Sequence, residues 1–276
     1  MKRSDKLLKF PLKGNYTAML APSFIVDFSY PEIIHILKKL GFDKVVELTF
    51  GAKLVNGEYH KILKNTQKMQ IATVCPGVVE LITTKYPQYK KNLLPVDSPM
   101  IAMSKVCKKT YPKNKIIFIS PCNYKKEEAR LSKYIDYVID YKELKKIIEK
   151  NKIKINNKEK VHFDKFYNDY TKVYPLTGGL SKTAHLKGIL KRKEIKIIDG
   201  TNRIMKFLEN PDKRIKFLDC NFCIGGCIGG PCLNSQERLR KRKKKVIRYL
   251  KNSKREDIPE PRKGLIEKAK GINIKR

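Results

Sequence analysis

Short apolar runs alternate with longer amphipathic stretches through most of this chain. The runs Tyr16–Leu20, Lys44–Leu48, Met69–Val74, Lys115–Ser120, Ile195–Ile198 and Ile215–Asp219 predict β-strands. Between them, Pro31–Leu40, Val78–Lys85, Pro99–Thr110, Tyr141–Lys150, Ser181–Leu190 and Asn202–Glu209 carry the spacing of helices with one apolar face. Pro31 suits a first helical turn, and Ser98 before Pro99 is placed to cap the third of these helices. Strand–helix alternation of this kind predicts an α/β fold of mostly parallel strands flanked by helices. Residues 151–173 are polar and weakly periodic and read as a linker or insertion. Past Cys232 the alternation stops. The expected organisation is an N-terminal arm (1–15), a main unit (16–232) and a basic, helical C-terminal tail (233–276).

The chain has 276 residues, of which 41% are hydrophobic, enough for a substantial core. Patterned apolar runs exclude simple disorder. No stretch reaches the ~18–20 uncharged apolar residues that a membrane helix needs, and residues 1–13 lack the apolar segment of a secretory signal. A cytoplasmic protein is therefore expected. Lys and Arg number 62 against 27 Asp and Glu, a formal net charge of +35. Lys, Ile and Asn rise together along the whole chain, so part of this excess is compositional. The densest stretch, Arg238–Arg248, has no accompanying nucleic-acid motif and little aromatic interleaving. The charge points to an acidic partner, either nucleic acid or an acidic electron-transfer protein, while a solvated, positively charged terminal helix is expected for the dense stretch in preference to a nucleic-acid site.

The seven cysteines are too few and too unevenly placed for a disulfide scaffold, so thiolate ligands or free thiols are expected. Cys75, Cys122 and the group Cys220, Cys223 and Cys227 each follow a predicted strand, and in open α/β sheets ligands gather at the carboxyl ends of strands. The segment from Cys220 to Cys232 combines C-x2-C, C-x3-C and closely spaced glycines. Glycine lets backbone N–H groups approach a bulky inorganic cluster. An iron–sulfur cluster fits this spacing better than zinc, which usually takes paired C-x2-C knuckles; zinc and plain buried cysteines remain open on spacing alone. Cys107, inside a helical pattern, reads as a structural thiol. His35, His60, His162 and His185 show no paired metal spacing.

Four ordered stretches resemble the H-cluster-binding domain of the FeFe-hydrogenase large subunit, over roughly residues 16–232. They are Ala21-Pro22-Ser23 with Leu40–Ala52, then Thr73-Val74-Cys75-Pro76 with Ser98–Met100. Next comes Pro121-Cys122 through Arg130, and last Cys223 through Pro231 preceded by Thr177-Gly178-Gly179. The resemblance implies an iron–sulfur cofactor in a cleft between two lobes. It implies that Cys75, Cys122, Cys223 and Cys227 ligate a 4Fe–4S cluster. Cys227 would also bridge to a two-iron subcluster carrying CO, cyanide and a dithiolate. Lys125 matches the lysine that hydrogen-bonds one cyanide, and Ala21, Pro22 and Ser23 the strip beside the other. Glu58 and Glu128 fall where the family places acids of its proton route. A ferredoxin-like acidic electron carrier and cluster-maturation proteins are the partners implied.

The chain also departs from that family. Val74 stands where catalytic members carry a proton-donating cysteine, and Ser120 and Asn221 replace methionines. This pattern is closer to the sensory or divergent branches. No ferredoxin-like cysteine pattern precedes residue 16, and Cys220 and Cys232 match no family role. The activity implied is slow or sensory reversible hydrogen activation. The alternative is a non-catalytic 4Fe–4S protein of the same fold, in electron transfer, redox sensing or iron–sulfur assembly.

Overall fold

The structure is a computed structural model and describes residues 8–154 and 161–276. Residues 1–7 of the expected N-terminal arm and 155–160 of the expected linker lie outside the described residues. The elements in chain order are β1 (Tyr16–Leu20), α1 (Glu32–Lys39), β2 (Lys44–Glu47), α2 (Thr49–Lys64), β3 (Gln70–Ile71), α3 (Pro76–Lys85), α4 (Pro99–Thr110), β4 (Lys115–Ser120), α5 (Tyr124–Arg130), β5 (Tyr137–Asp140), α6 (Tyr141–Lys150), α7 (Gly179–Thr183), β6 (Ile195–Asp199), α8 (Thr201–Glu209), β7 (Phe217–Asn221) and α9 (Leu239–Ser253).

Two parallel sheets form the lobes, in the orders β2-β1-β4-β5 and β3-β7-β6. Parallel strands need helical crossovers, which cover both faces and leave near-continuous apolar strands. β1 follows this rule. Ala18 and Leu20 face one core with α1 and α6, while Met19 faces the other with Met100 and Met103 of α4. α2 spans both lobes: Phe50 packs in the first, and Val55, Tyr59 and Leu63 pack against Phe217 in the second. Ser98 caps α4 through the Ile101 N–H, and Asp140 with Glu143 forms a capping box on α6.

Several sequence expectations are corrected here. α2, α5 and β5 were not expected. The strand foreseen over Met69–Val74 shrinks to Gln70–Ile71, and that over Ile215–Asp219 runs instead from Phe217 to Asn221. The helix foreseen over Ser181–Leu190 breaks after Thr183 into a separate 3-10 turn. The segment 161–173 is not a linker: Phe163 and Phe166 are fully buried, and Asp164 exchanges hydrogen bonds with both the N–H and the C=O of Val45.

Lys172 ends fully buried, 2.6 Å from Glu47 Oε2 and 2.6 Å from the Tyr249 hydroxyl, with the rings of Tyr249 and Tyr167 at 4.0 and 4.7 Å. Burial pushes the Glu47 carboxyl up and the Lys172 ammonium down, and each partner opposes the other's shift. Tyr249 belongs to α9, so this buried pair needs the basic helix. Along α9, Val246, Tyr249 and Ser253 form a buried stripe at helical spacing. Among the described residues no helix is long and apolar enough to cross a membrane.

Candidate functional site

The carboxyl ends of β1, β4 and β7 open onto one cavity. Its walls include Ala21, Pro22 and Ser23 after β1, Ser120, Cys122 and Lys125 around the end of β4, and Asp219 and Asn221 of β7. Val74, Cys75 and Cys227 also line it. Side chains alternate along a strand, so the β7 register that puts Asp219 and Asn221 on the cavity side turns Cys220 the other way. Cys220 is buried with Ile71, Val78 and Leu218. Cys75 packs against the same apolar cluster, so Cys220 lies behind a sequence-predicted ligand and off the cavity wall.

Each cysteine is held differently. Cys75 is the N-cap of α3, with Pro76 at the first helical position. A thiol there sits at the positive end of the helix. Burial and then Cys75 push the Cys122 thiol up, opposed by Lys125 and by the N–H groups of Tyr124 and Lys125. Cys223 is pushed up to about 12 by burial and by Cys75 and Cys122. Cys227 is exposed by its surface yet closely enclosed by surrounding protein, and its thiol is raised by that enclosure and then by Cys75, Cys122 and Cys223. These mutual effects bring the four sequence-predicted thiols within electrostatic reach of one another. Among the described residues, no three His, Cys, Asp or Glu side chains gather closely enough for a single ion. A multi-iron cluster, whose donors each bind a different iron, asks for thiols from several segments, and Cys75, Cys122 and Cys227 line the cavity from three of them.

Three cysteine-bearing segments are riveted together beside that space. The rings of Tyr124 and Phe222 meet edge to face at 4.9 Å, and a Cβ on Gly77 would stand 2.9 Å from both. Gly77→Val is therefore expected to destabilise the fold by about 1–3 kcal/mol through overpacking and to weaken iron retention. Gly57→Ala, inside α2 where a Cβ meets nothing within 4 Å, is the control and is expected to stabilise by up to about 1 kcal/mol. Thermal melts and iron content read both, and equal behaviour of the two variants would refute the rivet. In the C-x3-C turn, Gly226 adopts φ +71°, and its Cβ would strike the Pro175 carbonyl at 2.5 Å. The same carbonyl accepts the Cys227 N–H at 2.8 Å.

Residues that sequence reasoning did not single out complete the support. Asp199 Oδ2 accepts the Gly225 N–H and the Thr177 hydroxyl, both at 2.7 Å. Burial opposes ionisation, but these bonds and Arg203 hold the Asp199 carboxyl below its usual range. Arg242 of α9 donates to the carbonyls of Ile228, Ser235 and Glu237 at 2.6–2.9 Å, tying the helix to the cysteine turn. Tyr174 lines the cavity, and its buried hydroxyl has no hydrogen-bond partner among the described residues. A buried donor left unpaired is costly, so this orphan is consistent with a cavity shaped around a further group. The motif glycines hint at the turn, but nothing in the sequence marks Asp199, Arg242 or Tyr174.

Lys125 Nζ donates to the Val74 carbonyl at 3.3 Å and pairs with Glu128 at 2.6 Å. Glu128 also binds Arg276 at 3.0 Å. Glu58 pairs with Lys61 at 2.8 Å and lies 4.0 Å from Lys275. The two acids thus hold successive residues of one segment and have no direct bond to each other. The Ala21–Ser23 strip is fixed by Tyr141, whose hydroxyl donates to the Ala21 carbonyl at 3.1 Å and meets Ser23 Oγ at 2.8 Å. Cys107 is fully buried in α4, where burial raises its thiol to about 12. Cys232 donates to Asn123 Oδ1 at 2.9 Å. His60, His162 and His185 contact Ala184, Glu256 and Tyr170 respectively.

Known proteins resemble this chain in sequence and in fold. Iron hydrogenase 1 of Clostridium pasteurianum is 26% identical over 250 residues, covering 70% of this chain and 44% of that protein. The chain therefore spans less than half the length of that relative. HydA1 of Chlamydomonas reinhardtii superposes with a TM-score of 0.66 at 14% identity, over 92% of this chain and 86% of that one. A structure concerned with oxygen inactivation of FeFe-hydrogenase gives 0.67 at 15% identity over the same shares. The fold is thus that of FeFe-hydrogenase, with parallel sheets flanked by helices. The family described as "Iron only hydrogenase large subunit, C-terminal domain" matches residues 15–231, which take in both sheets and every cysteine that faces the cavity from a strand end. The chain belongs to that family of iron–sulfur, hydrogenase-type proteins.

Proposed function

We propose that the chain holds a 4Fe–4S cubane through Cys75, Cys122, Cys223 and Cys227 and supports slow or sensory hydrogen activation (2H⁺ + 2e⁻ ⇌ H₂). The observation that carries this reading is the convergence of four thiols from three chain segments beside a cavity walled by Ala21, Pro22, Ser23 and Lys125. The residues fit a two-iron group in that cavity: Cys227 would offer it a thiolate, and Lys125 would offer a charged donor to an anionic ligand. Such a group, when bound, supplies the open metal site at which protons and electrons combine. The protein's part is to exclude bulk water and orient the group, with Glu58 and Glu128 offered as the acids of a proton route. An acidic, ferredoxin-type electron carrier, maturation proteins and a cytoplasmic setting belong to the same proposal.

Infrared spectroscopy after maturation with the two-iron precursor tests it. CO and cyanide bands are expected, and a cubane without them would leave only an electron-transfer, redox-sensing or assembly-type role. That second reading is favoured by Val74, Ser120 and Asn221 on the cavity wall. The ligand set has its own test. Cys122→Ala is expected to abolish the charge-transfer absorbance of the reconstituted cluster. Full retention of iron and sulfide in that variant would overturn the assignment.

A further inference from the structure

Glu47 and Asp219 are both deeply buried acids, and the fold treats them differently. Glu47 has Lys172 at 2.6 Å. Glu58 and Glu128 also pair with cations. Asp219 is 2% exposed on the cavity wall and pairs with no cation among the described residues. That is notable in a chain where Lys and Arg outnumber Asp and Glu by 62 to 27. A buried carboxyl without a cation escapes the cost of an unpaired charge by keeping its proton. Burial raises the Asp219 carboxyl, and only the two bonds from Ser181 oppose that shift.

Those bonds also decide which oxygen holds the proton. The Ser181 N–H and hydroxyl both donate to Oδ2, at 2.9 and 2.6 Å, and Oδ1 accepts no hydrogen bond among the described residues. A protonated carboxyl has one O–H donor. With two donors already aimed at Oδ2, the proton belongs on Oδ1. No protein group claims that donor, and its residue lines the cavity. Tyr174 lines the same cavity, and its buried hydroxyl is likewise without a partner among the described residues. Burial pushes that hydroxyl well above its ordinary value, and Tyr59, Asp219 and Cys227 add to the shift. The other ionisable groups that feel the Asp219 charge are Tyr59 of α2 and Cys220 on the opposite face of β7, neither of them a cation.

We infer that Asp219 is the acid that supplies protons to the cavity, in place of the thiol that Val74 lacks. The inference rests on the hydrogen-activation reading above. In each delivery the Oδ1–H bond breaks, and the proton passes to a basic atom of the group held in the cavity. The carboxylate left behind keeps both Ser181 bonds and takes a proton back from water. No electron passes through Asp219. A purely structural Asp219 would need only Oδ2, as the acceptor for Ser181, and an amide would serve equally well.

Infrared difference spectroscopy of the full chain reads this proton directly. At neutral pH the parent is expected to show the carbonyl stretch of a carboxylic acid, shifted in deuterium oxide and absent from Asp219→Asn. Glu47 is also raised by burial, and any band it contributes survives that replacement. The Asn amide oxygen still accepts both Ser181 bonds, so thermal melts and iron content should stay at parental values. After maturation with the two-iron precursor, Asp219→Asn is expected to lower hydrogen evolution by about 10²–10⁴-fold. In the Val74→Cys background, where a thiol supplies the proton, the same replacement should cost less than about tenfold. A parent with no Asp219-dependent acid band, or equal losses in the two backgrounds, would overturn the inference. Should Asp219→Asn fail to fold, Ser181→Ala reads the same carboxyl. Losing a donor to Oδ2 disfavours the carboxylate, so the band should move and its titration midpoint should rise; an unchanged spectrum would count against the inference. Absence of CO and cyanide bands defeats the hydrogen reading and the delivery role with it, whereas a missing acid band defeats the delivery role alone.

Discussion

A chain ending at Ser235 is expected to lose its cooperative fold. The pattern past Cys232 suggests a tail dispensable for cluster binding, and the packing argues that the tail belongs to the core. Truncation removes Tyr249, which hydrogen-bonds both Glu47 and Lys172 inside the first lobe. Uncovering that buried ion pair resembles breaking it, a change that typically costs about 3–5 kcal/mol. Val246 and Tyr249 leave the core as well, at about 1.5–3 kcal/mol for each large apolar side chain. The Asp97 N–H loses the Ile274 carbonyl, and the Ile228 carbonyl loses Arg242. Against a total stability of roughly 5–15 kcal/mol, these losses are decisive. Circular dichroism melts and limited proteolysis would read the result, and a sharp, parent-like transition in the truncated chain would contradict it.

Val74→Cys is expected to raise hydrogen evolution by about 10²–10⁴-fold, the usual contribution of a positioned acid–base group. Val74 lines the cavity immediately before Cys75. Its alkyl side chain carries no proton, although its carbonyl is engaged by Lys125. Cysteine is close to valine in size, so the exchange asks for little repacking. The gain requires the two-iron group, and it requires Glu58 and Glu128 to pass protons despite their pairing with Lys61, Lys125 and Arg276. Hydrogen evolution from a chemically reduced mediator measures it. A parent that is already fast, with no change in the variant, would show that Val74 is not the gap. No evolution from either protein, with CO and cyanide bands absent, would favour the non-catalytic cubane.

Much of this fold was legible where local and long-range forces agree. β1, β4, α4 and α6 occupy the residues their patterns predicted, because continuous apolar runs and caps such as Ser98 and Asp140 fix both kind and boundary. α2 was hidden because Gly51, Asn56 and Gly57 dilute its periodicity and no side chain caps it. Gly51 is there for contact: its Cβ would meet the Pro99 carbonyl at 2.5 Å, so α2 and α4 pack backbone to backbone. The aromatics of 161–173 are spaced for distant partners and follow no local period. In α9 the lysines and arginines drown a stripe of only three buried residues. The cysteines were visible because glycine and thiol spacing is local chemistry. Asp199, Tyr174 and Arg242 were not, since each acts across the fold on a turn remote in sequence.

Arg242 carries a consequence for how the protein is made. The turn bearing Cys223 and Cys227 is clamped from a helix synthesised after it, and the Glu47–Lys172 pair, begun near the N-terminus, is closed only by Tyr249. Contacts of such sequence separation form late. The proposed cluster therefore has no finished receptacle while its own cysteines are being translated, and loading is expected only after α9 has emerged. Ribosome-stalled chains lacking α9 should stay protease-sensitive and take up no iron, whereas the released chain should do the reverse.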